Sequence, residues 1–147
     1  MSKMKSQRPS AKSKFLQGYF NGAEKYVGPR PIIYRSSYEL KSFIWCERNT
    51  KVLEWTSEPF GIPYFFEGKQ RNYYIDLIAK IETQDSEGNT VPQVWYIEVK
   101  PEKEVVNPSE QNKSKWNAAR EYAIQNGGIF KILTERVLSQ IPIKKAF

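Results

Sequence analysis

Histidine is absent from this sequence, cysteine occurs once, at Cys46, and aspartate only twice, at Asp76 and Asp85. Without histidine the chain lacks the commonest metal-binding imidazole and the commonest general base, so Ser-His-Asp and Cys-His triads are excluded. A single thiol closes no intrachain disulfide and builds no thiolate zinc site, and Cys46 reads as a small buried hydrophobe. No stretch approaches the roughly 18 apolar residues of a membrane span. The basic start has no apolar h-region behind it, so a soluble, unexported protein without a membrane partner is expected.

What is present points to a folded domain. Aromatic residues make up 14% of the 147 positions and apolar residues 39%, too rich in core-building side chains for a disordered chain. The length suits one domain with one real core. The net charge of +7 is unevenly placed. Residues 1–30 hold seven bases (Lys3, Lys5, Arg8, Lys12, Lys14, Lys25, Arg30) against Glu24 alone, while the remaining 117 residues carry 16 bases and 15 acids. A basic, flexible arm over 1–30 on a near-neutral domain over 31–147 is therefore expected. Such an arm suits a polyanion, because each phosphate contact releases counterions, although it is equally the composition of a solubilising tail.

Ser36 and Glu39 match a capping box, and Leu40, Phe43, Ile44 and Glu47 follow at helical spacing, predicting a helix from about Ser37 to Arg48. Val52 to Phe60 and Ile62 to Phe66 read as extended, and Glu67-Gly68-Lys69-Gln70 as a turn. From Asn72 to Ile81, Tyr73, Ile75, Leu77, Ala79 and Ile81 alternate to one face of a single strand, with Asp76 on the other. Residues 85–89 form a hairpin loop, and Gln93 to Lys100 returns as a strand stopped by Pro101. Ser109 to Asn126 reads as a helix closed by Gly127-Gly128, with Trp116, Ala119, Tyr122 and Ala123 inward, followed by a strand over Ile129 to Leu133 and a short helix. Trp55 and Trp95 also read as core. The order predicts an α/β fold, a mixed sheet flanked by helices.

Along the return strand, Tyr96, Glu98 and Lys100 share one side, so an acid and a base lie about 6 to 7 Å apart on the same face. If the two strands pair as a long hairpin, the Asp76 carboxylate points to that face as well. Two carboxylates and an ammonium then converge, which is the chemistry of a Mg²⁺ site for phosphodiester hydrolysis: hard oxygen ligands hold the ion and a lysine attends the water. An E-x-K triplet alone is also an ordinary same-face ion pair. Here it interrupts an apolar run (Val94, Trp95, Tyr96, Ile97, Val99), and Asp76 interrupts another. Buried charge of this kind calls for a reason.

The pattern Ile75-Asp76 followed by Glu98-Val99-Lys100 resembles the PD-(D/E)xK nuclease superfamily, with Ile75 at the non-ligand position where the superfamily name has proline. With Glu39 on an upstream helix it is similar to the branch typified by TnsA and phage T7 endonuclease I. The segments Tyr34 to Phe43, Val52 to Glu58, Ile62-Pro63-Tyr64, Tyr74-Ile75-Asp76 and Ile97 to Pro101 run in the order of the head-completion nucleases of T4-like tailed phages, over roughly residues 32 to 133.

The resemblance implies a restriction-endonuclease-like core. It also implies Glu39, Asp76, Glu98 and the Val99 carbonyl as ligands of Mg²⁺, with Mn²⁺ as a substitute, and Lys100 as the catalytic lysine. DNA would be the substrate, phage head or portal proteins the partners, and the host cytoplasm or the virion the location. Glu39 can equally serve as the helix cap, Arg35 can contact phosphate or orient Glu39, and Lys113, Lys115 and Arg120 can face DNA or line a solvated helix face. Two other functions fit the same residues: a structural DNA-end or portal-binding protein with a vestigial site, and a junction resolvase or transposase subunit.

Overall fold

The computed structural model of the protein describes residues 17–57 and 60–138, so the bases before residue 17, Glu58, Pro59 and residues 139–147 lie outside the described residues. The element order is β1 (Gly18–Tyr19), β2 (Ile33–Tyr34), α1 (Ser37–Arg48), β3 (Val52–Ser57), β4 (Gly61–Phe66), β5 (Lys69–Tyr74), β6 (Leu77–Gln84), β7 (Thr90–Val99), α2 (Glu102–Val106), α3 (Glu110–Gln125), β8 (Ile129–Leu133) and α4 (Glu135–Leu138). The central sheet has the order β3-β6-β7-β8, antiparallel except for the parallel β7–β8 pair. A parallel pair needs a crossover, which α2 and α3 supply.

Local signals explain most of these boundaries. Ser36 Oγ accepts from Glu39 N–H at 3.1 Å to start α1, and Ser109 Oγ accepts from Asn112 N–H at 3.1 Å to start α3. Gly127, with φ of 77°, ends α3 in the left-handed region open to glycine. The β6–β7 loop is built on Asp85, whose Oδ1 accepts from Glu87 N–H at 2.9 Å and Asn89 N–H at 2.8 Å.

Each face of the sheet carries its own core. On one side Val52, Trp55, Leu77, Ala79, Ile81, Ile97, Val99 and Leu133 pack under α1. On the other, Tyr96 packs with Trp116, Ala119 and Ala123 of α3 and with Ile62, Tyr64 and Tyr73 of the β4–β5 hairpin. Trp55 and Trp116 are core residues as expected, with Trp95 and Tyr122 packed against the two clusters.

Two expectations change. The single strand over Asn72 to Ile81 is two strands, broken at Ile75 and Asp76. Its five alternating residues are all buried, but Tyr73 and Ile75 serve the α3 side while Leu77, Ala79 and Ile81 serve the α1 side. A chain passing from one hairpin to the other face of the sheet keeps a period-2 pattern through the break, so alternation alone does not show it.

Within the expected arm over 1–30, residues 20–27 belong to the folded domain. Phe20, Ala23 and Tyr26 are buried, and Val27 N–H donates to Trp55 O at 2.9 Å while Trp55 N–H donates to Lys25 O at 3.1 Å. This segment covers the outer edge of β3, whose unpaired backbone would otherwise be open to another chain. Lys25 Nζ donates to Asn49 O at 2.8 Å and caps the end of α1, and Arg30 donates to Ala23 O at 3.2 Å, so two of the seven N-terminal bases have structural work.

Glu47 fastens this segment to the core. Its carboxylate accepts from Glu24 N–H at 3.0 Å, Lys25 N–H at 3.1 Å and the Trp55 indole N–H at 2.7 Å. Hydrogen bonds to a charged group contribute about 1.5–3 kcal/mol each, and loss of the acceptor strands the donors. Glu47→Ala is therefore expected to lower unfolding stability by about 2–3 kcal/mol, read as a lower urea midpoint at unchanged slope; an unchanged midpoint would remove Glu47 from this role.

Candidate active site

The register of the β6–β7 hairpin assembles the site. Leu77 pairs with Ile97 and Ile78 with Tyr96, so one further step sets Asp76 against Glu98 on the face shared by Ile78 and Tyr96. β6 ends before that step. Lys100 N–H bonds to Leu133 O on the β8 side at 3.1 Å, and Val99 N–H, on the opposite side of the strand, is taken by Asp76 Oδ2 at 2.7 Å in place of a ladder carbonyl. The side chain that closes the hairpin is thus a carboxylate at the mouth of the sheet.

Glu98 is 5% exposed, which is unusual for a glutamate and demands partners. Its Oε1 accepts from the Tyr73 hydroxyl and its Oε2 lies 3.7 Å from Lys100 Nζ. Desolvation, then the charge of Glu98, holds the Asp76 carboxyl well above the usual carboxylate range, against the pull of the Val99 N–H. Desolvation also raises Glu98, opposed by Tyr73, Lys100, Asp76 and Lys115. Burial pushes the Tyr73 hydroxyl up as well, so it stays a donor. Asp85 runs the other way, lowered chiefly by the Asn89 N–H in its loop. The two aspartates of the chain therefore have opposite environments, one exposed in a loop whose N–H groups favour its charged form, one in the site where desolvation disfavours it.

Glu39 enters through its charge, which raises Asp76, while its Oε1 accepts from Arg35 N–H at 2.6 Å. The capping geometry anticipated for Glu39 is present, displaced by one residue from Ser36 to Arg35. Among the described residues no three His, Cys, Asp or Glu side chains are gathered closely enough to hold an ion.

The three cations of α3 separate. Lys113 pairs with Glu110 at 3.0 Å, and Arg120 donates to Asn117 Oδ1 at 2.9 Å and stacks over Phe130; both line a cleft with Val105, Pro108 and Ile132 beside β8. Lys115 turns the other way, with Nζ 5.7 Å from the centre of the Tyr73 ring. Tyr73 is the site residue that sequence reasoning missed. It reads as a core position and is one, but its hydroxyl reaches Glu98 from a separate two-stranded sheet, a tertiary relation with no local signal.

A mixed sheet carrying acid, acid and lysine at adjoining strand ends is an arrangement of nucleases, and the comparison with known proteins agrees. Residues 49–135 match the family described as TnsA-like endonuclease N terminal, a span that includes Asp76, Glu98 and Lys100 and leaves out α1 with Glu39. The chain belongs to this endonuclease family. It is 36% identical over 145 residues to the head completion nuclease of Enterobacteria phage T4, covering 83% of this chain and 91% of that protein.

Proposed function

We propose that the protein is a divalent-metal-dependent DNA endonuclease that acts in phage head completion or DNA-end processing. The observation that carries this reading is Asp76 set against the buried Glu98 with Lys100 beside them. An all-oxygen pair whose charged forms are disfavoured by desolvation is a donor set suited to a hard dication, which would offset that cost.

Asp76, Glu98 and the Val99 carbonyl would hold Mg²⁺ or Mn²⁺, with Glu39 contributing its charge or a further oxygen. When bound, such an ion polarises the phosphate and lowers the pKa of water. The chain's own residues do the rest. Tyr73 fixes one oxygen of Glu98, the Val99 N–H fixes one oxygen of Asp76, and the Lys100 ammonium positions the attacking water beside Glu98. The N-terminal bases, with Arg35, Lys113, Lys115 and Arg120, grip phosphates without reading bases. Head or portal proteins are the partners that fit a role at the end of a packaged genome, in the host cytoplasm or on the virion.

The test is conversion of supercoiled plasmid to nicked or linear DNA as Mg²⁺ or Mn²⁺ is titrated. Folded protein inert with both ions on supercoiled, linear and branched DNA would overturn the reading in favour of a structural DNA-end protein, and strong preference for branched DNA would move it to a junction resolvase. Two variants refine the picture. Deleting residues 1–14 removes five bases and no acid; duplex affinity is expected to fall and its salt dependence to flatten with the fold unchanged, and an unaltered slope would detach the arm from DNA. Glu39→Gln keeps an acceptor for the Arg35 N–H and loses the charge. Weaker Mn²⁺ binding at equal thermal stability marks Glu39 as a ligand, and unchanged Mn²⁺ binding marks it as a cap.

A further inference from the structure

Lys115 is placed unlike the other cations of α3. Gln111, one turn earlier on the same side of the helix, donates to Tyr64 O–H at 2.8 Å, and this contact docks the α3 face on the β4–β5 hairpin. The Lys115 ammonium then rests 5.7 Å from the centre of the Tyr73 ring, whose hydroxyl is bonded to Glu98. It is half-buried, and among the described residues it makes no hydrogen bond or ion pair. An ammonium carries three donors, and one partly withdrawn from water gains by finding an anion. Lys100 approaches Glu98 from the end of β7, Lys115 from α3.

We infer that Lys115 is a substrate-binding residue, its ammonium contacting the DNA phosphate that lies over the Asp76–Glu98 pair, so that the strand is held between Lys100 and Lys115. This rests on the nuclease reading and names the group that grips the reacting strand. Before substrate arrives, the ammonium rests against the Tyr73 ring. Lys113 and Arg120 are already partnered and face the cleft beside β8, so helix position alone does not confer this role.

The test compares Lys115→Gln and Lys115→Arg with Lys80→Gln, a surface control from the Lys80–Glu54 pair. Duplex affinity is measured by fluorescence anisotropy in EDTA over a range of salt, cleavage kinetics in Mg²⁺, and Mn²⁺ binding by calorimetry without DNA. For Lys115→Gln the salt slope is expected to fall by about 1 and duplex affinity by about tenfold, with KM raised more than kcat is lowered. Lys115→Arg restores most of the affinity, Lys80→Gln leaves the slope unchanged, and Mn²⁺ binds Lys115→Gln as tightly as wild type or more so. An unchanged slope and KM, or a loss confined to Mn²⁺ affinity, would overturn the inference and leave Lys115 as a counter-charge for Glu98. Because the slope is read without metal, wild-type protein inert in cleavage would sink the nuclease reading while the slope still decides the role of Lys115.

Discussion

Lys100→Ala is expected to reduce Mg²⁺-supported DNA cleavage by about 10²-fold or more with the fold intact, the scale of removing one positioned group that acts on the transition state. The structure supports a clean variant. Lys100 follows the last residue of β7, its side chain is 30% exposed, and its backbone N–H bond to Leu133 survives the change. Asp76→Asn is expected to lose activity by a similar factor for a different reason, since a neutral amide is a poorer ligand for a hard cation. The two failures separate in a metal titration. Raised Mg²⁺ or replacement by Mn²⁺ restores part of the Asp76→Asn activity, whereas Lys100→Ala keeps both carboxyls and responds little. Initial rates on supercoiled plasmid read both effects, and a Lys100→Ala protein cutting within a few-fold of wild type would remove Lys100 from the reaction.

The parts of this site legible in the sequence are those fixed by local geometry. Helix α1 is readable from Ser36 and the spacing of Leu40, Phe43 and Ile44 because capping and the 3.6-residue period are properties of contiguous chain. The meeting of Asp76 and Glu98 follows from one hairpin, since a loop at 85–89 fixes the register as far as the strands extend.

What is not legible depends on elements brought together from afar. The N-terminal segment hides its core residues Phe20, Ala23 and Tyr26 among glycines and bases at no regular period, and only the edge of β3 gives them a place. The break at Ile75 and Asp76 is masked by an alternation that continues across it. Tyr73 and Lys115 acquire their places from the docking of the β4–β5 hairpin and α3 on the sheet, and neither relation has a sequence spacing. The helix α2 has no buried residue, so no apolar period marks it.

In the absence of metal, the same acid pair is expected to make wild-type protein less stable as pH rises, and Asp76→Asn more stable than wild type at pH 8. The sign follows from the direction of the shifts. Asp76 and Glu98 are both raised above their ordinary values, first by desolvation, so the folded state binds protons more tightly than the unfolded chain. Their contribution is complete below the unfolded carboxyl values of about 4 and is lost as pH rises through the higher folded values. Asparagine at 76 keeps an oxygen for the Val99 N–H and carries no charge to desolvate or to repel Glu98 at any pH. Binding of Mg²⁺ or Mn²⁺ reverses the penalty in wild type by mass action, about 2.7 kcal/mol at one hundred times the dissociation constant, and much less in the variant. Thermal melts from pH 5 to 8, with EDTA and with metal, measure all of these terms. A wild-type protein whose melting temperature is flat across that range in EDTA, or an Asp76→Asn protein less stable than wild type at pH 8, would show that the two carboxyls carry no such charge penalty. The site would then be stabilised by ionised acids and Lys100 instead of waiting for a cation to offset their charge.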